Sequence, residues 1–140
     1  MNEISYVHDL PSQDEYFKLF ESTEWFRVRR PSKEELILTL SRSYFFVMAY
    51  DGDKLVGSGR IVSDGILHAM IYDMIIDPEY QRKGIGTKIL IIIIDKCIEN
   101  NIGDIQLFCA QGKKKFYLKS GFEIRAEDAP GMFYNSQIRF

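Results

Sequence analysis

The stretch Ile71-Tyr72-Asp73-Met74-Ile75-Ile76-Asp77-Pro78 decides how the chain is read, together with Gln81-Arg82-Lys83-Gly84-Ile85-Gly86-Thr87 and the apolar run after it. The first part reads as a buried strand. It ends at Asp77-Pro78, because proline supplies no ladder donor and pushes the residue before it out of helical space. From Ile85 the pattern is helical, with Ile85, Ile89, Ile92, Ile93 and Cys97 on one face. Between strand and helix lies a loop with glycines and cations. Such a loop at a helix N-terminus presents free backbone N–H groups and the positive end of the helix dipole, which suits a phosphate. The dinucleotide fingerprint requires a further glycine where Ile89 stands. The P-loop requires Gly-Lys before Ser or Thr, whereas the order here is Gly86-Thr87-Lys88. Neither pattern fits.

Working outward, residues 1–140 read as one domain, since 140 residues can bury a full core. Upstream, residues 3–8 suit a first strand. A helix over 13–21 is capped by Ser12 with Glu15, and a second, to about Ser41, by Ser32 with Glu35. The segment between them carries Trp25, Phe26, Arg27, Arg29 and Arg30 and has no clean period. Strands over 44–50, 54–62 and 66–76, joined by turns at Asp51-Gly52-Asp53 and Ser63-Asp64-Gly65, form an antiparallel meander. Downstream, a strand over 104–109 completes a β-α-β unit with parallel pairing. A short helix over 113–119 ends at Ser120-Gly121, and strands are expected over 122–125 and 132–140.

Hydrophobic content of 46% and charged content of 27% are those of a globular protein. A net charge of −2 gives no bulk electrostatic case for nucleic acid or an anionic membrane. The apolar run Ile89 to Ile94 stops at Asp95, far too short to span a bilayer. Neither a nucleic acid nor a membrane partner is therefore expected. Cys97 and Cys109 lack metal-ligand spacing and fall in apolar surroundings, so two buried reduced thiols and no metal are expected. With no secretory signature at the start, the expected location is cytoplasmic.

The downstream segment Phe116-Tyr117-Leu118-Lys119-Ser120-Gly121-Phe122 adds the second half of a pattern. Gln81-Arg82-Lys83-Gly84-Ile85-Gly86 opening a central helix, then an aromatic-Tyr-x-x-x-Gly-Phe segment after the next strand, resembles the GCN5-related N-acetyltransferase (GNAT) superfamily. The element order resembles that family over essentially the whole chain. The resemblance implies an α/β fold of the α+β type: a mixed, mostly antiparallel twisted sheet flanked by helices, with a splayed, V-shaped central cleft. It implies an N-acetyltransferase that moves acetyl from acetyl-CoA directly to a primary amine of a small molecule or peptide. The alternative is a non-catalytic acyl-CoA-binding or sensing module on the same fold.

Residue by residue, the resemblance implies that Gln81, Arg82, Lys83, Gly84, Ile85, Gly86 and Thr87 hold the cofactor pyrophosphate. Met74, Ile75 and Ile76 pair with the pantetheine arm. Tyr117 acts as the acid at the CoA sulfur. The family often places an asparagine seven residues before this tyrosine, where this chain has Ala110, so Lys113 and Lys115 are candidate compensating phosphate ligands; a solvated helix face is their alternative reading. Asp73, the carboxylate inside the central strand, is the candidate base, with pairing to Arg60 as the structural alternative. Trp25, Phe26, Arg27 and Tyr72 are the candidate acceptor-side residues, with His68 a weaker candidate for a water relay. Neither cysteine is expected where a nucleophile would stand. Edge strands near the C-terminus leave a homodimer open.

Overall fold

The structure, a computed structural model, describes residues 3–23 and 30–135. Among the described residues five strands form one sheet in sequential order: β1 (Ile4–Val7), β2 (Phe45–Asp51), β3 (Lys54–Ser63), β4 (His68–Ile76) and β5 (Asp104–Leu107). The first four are antiparallel neighbours, and β5 joins β4 in parallel. Helices α1 (Gln13–Glu21) and α2 (Lys33–Ser41) cover one face of the sheet. The long helix α3 (Ile85–Glu99) covers the other, and the short α4 (Lys114–Lys119) comes after β5.

Local chemistry sets these boundaries. Ser12 accepts the Glu15 N–H at the start of α1, and Ser32 and Glu35 form a reciprocal capping box on α2. On the α3 face, Val47, Ala49, Val56, Ile61, Ala69 and Ile71 pack against Ile85, Ile89, Leu90, Ile93 and Cys97. On the other face, Met48, Leu55 and Ile75 meet Tyr16, Leu19, Leu36 and Leu40.

One irregularity organises β4. Ser58 pairs with Ile75 but Arg60 with Tyr72, so β4 carries one residue more than β3 across this interval. Asp73 absorbs it with a left-handed φ of 53°, a conformation that aspartate tolerates better than most residues. A single extra residue reverses the facing of every later side chain. Hence Ala69 and Ile71 face α3 before the bulge, Met74 and Ile76 face it afterwards, and Ile75 crosses to the α1/α2 core. Gly57 and Gly59 on β3 leave room for them: an added Cβ would lie 2.9 Å from Ile76 Cδ1 and 2.6 Å from Met74 Sδ.

The β4–β5 ladder runs from His68↔Asp104 to Ile71↔Leu107 and stops there. Beyond it, β4 continues paired to β3 through Ile76. This divergence is the expected opening in the sheet.

Several expectations are corrected. Residues 122–125 form no strand: Phe122 and Ile124 alternate as a strand would, but no backbone ladder is made with β5. Residues 132–135 are irregular as well, and the rest of the expected last strand, 136–140, lies outside the described residues. The strand expected over 104–109 ends at Leu107, where the sheet opens. Cys97 is buried but Cys109 is exposed, because it lies past the end of the β5 ladder.

The tight seam over Gly59 gives a direct test. A Cβ there would also sit 3.0 Å from both Ile89 and Ile93 of α3. Gly59→Val is expected to destabilise the fold by roughly 1–3 kcal/mol through overpacking, read as a lower urea midpoint with an unchanged slope. An unchanged midpoint would contradict the packing described.

Candidate active site

The connection from β4 to α3 is built step by step. The Asp77 N–H continues the ladder to the Val56 carbonyl at 2.8 Å. The Asp77 side chain then caps a single 3-10 turn, Pro78–Tyr80, by accepting the Glu79 N–H at 2.9 Å. Gln81 turns back, its Nε2 donating to the Ile76 carbonyl at 3.1 Å. Arg82 (φ 64°) and Gly84 (φ 86°) are both left-handed. Alternation of this kind curls successive N–H groups into an anion-binding concavity.

The loop ends at the N-terminus of α3, where Gly84 provides no side-chain cap. The first-turn N–H groups of Ile85, Gly86 and Thr87 have no intrahelical acceptors. Gln81, Arg82, Lys83, Gly84 and Thr87 are exposed, whereas Ile85 is buried and anchors the helix. A Cβ on Gly84 would meet nothing within 4 Å, so glycine serves the positive φ there. Gly86 serves a close approach: a Cβ on it would lie 3.3 Å from Phe116 Cζ.

Phe116 therefore seats α4 on the first turn of α3, and Tyr117 is the next residue. Gly121 (φ 95°) closes α4 in a Schellman arrangement, with Phe122 N–H donating to Tyr117 carbonyl at 3.1 Å and Gly121 N–H to Leu118 carbonyl at 3.4 Å. The accompanying apolar contact is aromatic. Tyr117 meets Phe122 edge-on with centroids 5.8 Å apart, and Phe116 at 4.9 Å. The Gly-Phe of the sequence pattern thus fixes the tyrosine ring. Burial first, then the nearby Cys109, pushes the Tyr117 hydroxyl up to about 12, so it is protonated throughout the neutral range.

Tyr117 and Cys109 line a cavity of about 980 Å³ walled by β5, α4 and residues 122–131, with Met70 of β4 at its edge. The cysteine thus shares a cavity with the candidate acid.

Opposite α3, Asp73 accepts from Arg60 Nε at 2.7 Å, and these side chains are 20% and 16% exposed. Arg60 also donates to Ser43 Oγ at 3.3 Å and lies 5.6 Å from the Tyr72 ring centroid. Tyr72 is 40% exposed. The pairing of Asp73 with Arg60, expected as the structural alternative, is made. His68 is exposed and hydrogen-bonded to Asp104, its partner across the β4–β5 ladder, away from Asp73. Lys113 and Lys115 are exposed at the start of α4. Trp25, Phe26 and Arg27 lie outside the described residues. Among the described residues no three His, Cys, Asp or Glu side chains group as metal ligands, and no helix is long and apolar enough to cross a membrane.

Residues 13–130 match the family model for the acetyltransferase (GNAT) domain. The chain belongs to the GNAT family. It is 33% identical over 135 residues to an uncharacterized N-acetyltransferase, ycf52, of Gracilaria tenuistipitata var. liui, covering 93% of this chain and 70% of that protein. It is 37% identical over 81 residues to GCN5-related N-acetyltransferase 2, chloroplastic, of Arabidopsis thaliana, covering 58% of this chain but only 31% of that relative. GNAT architecture is likewise seen in the PaiA N-acetyltransferase of Thermoplasma acidophilum, solved in complex with coenzyme A. That structure superposes with a TM-score of 0.74 at 19% identity over 88% of this chain and 91% of the other. The fold is the GNAT fold, and the family chemistry is acyl transfer.

The ionisation of Tyr117 is directly measurable. Phenolate absorbance from this residue, isolated as the difference between wild type and Tyr117→Phe, is expected to emerge only near pH 12, later than for a free tyrosine at about 10. Emergence at the ordinary value would contradict the burial described.

Proposed function

We propose that the protein is an acetyl-CoA-dependent N-acetyltransferase that moves acetyl directly to a primary amine of a small molecule or peptide. The observation that carries this reading is the contact of Phe116 with Gly86. It ties an anion-binding helix terminus to a protonated tyrosine one residue away, so both ends of an extended acyl-CoA would be held by one rigid unit.

In this reading the N–H groups of the 82–87 loop bind the pyrophosphate, with Gln81 shaping the turn. Arg82, Lys83, Lys113 and Lys115 add positive charge beside it. The backbone of Met74, Ile75 and Ile76, left beyond the end of the β5 ladder, offers hydrogen bonds to the pantetheine amides. Tyr117 donates to the departing sulfur. A hydroxyl held near 12 is a weak acid, so its contribution is a hydrogen bond that strengthens as the thiolate forms.

The acceptor enters from the Tyr72 side. Asp73, with one oxygen held by Arg60, serves as an electrostatic partner for the incoming amine, whose proton leaves to solvent. Tyr72 offers a partly exposed ring beside it. Trp25, Phe26 and Arg27 remain proposed acceptor contacts on sequence grounds. Proximity and orientation supply the rest of the rate.

Tyr117→Phe is expected to lower kcat by about 10²-fold, the lower end of the loss when one preorganised hydrogen-bond donor to a developing anion is removed, with little change in the Kd for acetyl-CoA. Loss of cofactor binding instead would contradict its role. Cys109→Ser tests direct transfer: sequential kinetics and near-normal kcat are expected, whereas ping-pong kinetics abolished by the substitution would establish an acyl-cysteine route. With an amine acceptor, turnover should rise with pH above neutrality as the amine loses its proton. Tyr117 should impose no alkaline decline below about pH 10, because its raised value keeps the donor proton in place there.

A further inference from the structure

We propose that the Tyr80–Asp51 hydrogen bond is a latch that sets the cofactor loop, making Tyr80 and Asp51 positioning residues for acyl-CoA binding. Asp51 ends β2, in a tight hairpin whose other side is Lys54. Both strands of that hairpin are paired in the middle of the sheet, so its end is a rigid anchor. Tyr80 ends the 3-10 turn one residue before Gln81. Its hydroxyl donates to Asp51 Oδ2 at 2.6 Å. Lys54 Nζ stands 5.1 Å from the centroid of the Tyr80 ring and 3.8 Å from Asp77 Oδ2. The hairpin therefore grips both ends of the turn: Asp77 through Lys54, and Tyr80 through Asp51 and Lys54.

The loop immediately after Tyr80 is where such a grip is useful. Arg82 and Gly84 adopt left-handed backbone in a run of exposed residues, and Arg82 is a residue that disfavours that region. An exposed loop with such backbone holds its N–H groups in one direction only if its ends are fixed. The far end is fixed by Ile85, buried at the first position of α3. The near end is fixed by Tyr80, through its ring against the core periphery and its hydroxyl on Asp51. The bond to a carboxylate is charge-assisted and shorter than a neutral one; that carboxylate, first, and partial desolvation raise the pKa of the Tyr80 hydroxyl, so the donor proton is retained at neutral pH.

The inference rests on the reading of the 82–87 loop as the pyrophosphate cradle. The test compares wild type, Tyr80→Phe, Asp51→Ala, the double variant and Asp51→Asn by CoA and pantetheine titration, by steady-state kinetics and by amide hydrogen exchange of residues 81–87. Tyr80→Phe is expected to raise the Kd for CoA and the KM for acetyl-CoA by roughly three- to tenfold, a fraction of one charge-assisted hydrogen bond. Its kcat at saturating cofactor, its pantetheine affinity and its midpoint of global unfolding should stay close to wild type, while the 81–87 amides exchange faster. The double variant should be no worse than the weaker single one, since both remove the same bond, and Asp51→Asn, which keeps an acceptor oxygen, should recover much of the affinity. Wild-type binding of CoA with unchanged Kd and exchange in Tyr80→Phe overturns the latch alone. A fall in kcat at unchanged KM also overturns it. Wild-type protein that does not bind CoA overturns the cradle, and the latch's purpose with it.

Discussion

The bulge at Asp73 is the constraint on which the rest of the structure depends. An extended strand offers alternate side chains to opposite faces, and β4 must serve two different cores along its length. The inserted residue switches its facing halfway, so that Met74 and Ile76 fill the space left by Gly59 and Gly57 while Ile75 joins the α1/α2 core. Arg60 holds the bulge from β3 through the Asp73 carboxylate at 2.7 Å. The pair is mostly buried, and removing one partner of a buried pair leaves the other charge uncompensated. The switch occurs just past the last β4–β5 pair, Ile71↔Leu107. The bulge and the opening of the sheet are thus neighbours on one strand.

On the α3 side of that strand, two glycines divide the work. Gly84 supplies a left-handed turn with open space around it, and Gly86 admits the Phe116 ring. The first aims backbone donors outward, and the second couples them to α4. Gly121 completes the arrangement by ending α4 so that Phe122 packs against Tyr117. Gly86 and Gly121 therefore orient the hydroxyl on which the proposed chemistry depends, and Gly84 the backbone donors before α3. On the opposite face, Arg60 joins the Asp73 carboxylate and the Tyr72 ring in one group.

Much of this was legible in the chain. Both serine N-caps, the Ser32/Glu35 capping box, the Asp-Gly hairpin and the strand-to-helix loop carry their chemistry in nearby residues and stand where their patterns placed them; the box expected at Ser12 is only half made, because the Glu15 side chain meets Ser12 Oγ instead of the backbone N–H. The family was readable from two motifs whose geometry is now physical: a left-handed glycine before α3 and a Schellman end to α4. The bulge was illegible because Ile71, Met74, Ile75 and Ile76 are apolar whichever face they take, and Asp73, the residue at the change of facing, read as a candidate base or ion-pair partner rather than as an insertion. The Tyr80–Asp51 bond joins residues distant in sequence, and no local pattern reports such a pairing. Phe122 to Arg125 read as a strand because alternation is local, whereas a strand also requires a partner edge. Cys109 read as buried for the same reason: its neighbours are apolar, but the ladder ends before it.

In the proposed function the loop before α3 holds a pyrophosphate and thereby sets the acyl group beside Tyr117. Calorimetric titration of the protein with CoA and with pantetheine, which lacks the nucleotide and its phosphates, tests this most directly. Measurable CoA binding that weakens with salt is expected, with at least a tenfold loss of affinity for pantetheine, about 1.4 kcal/mol or more. Pantetheine bound as tightly as CoA, or no CoA binding at all, would contradict it.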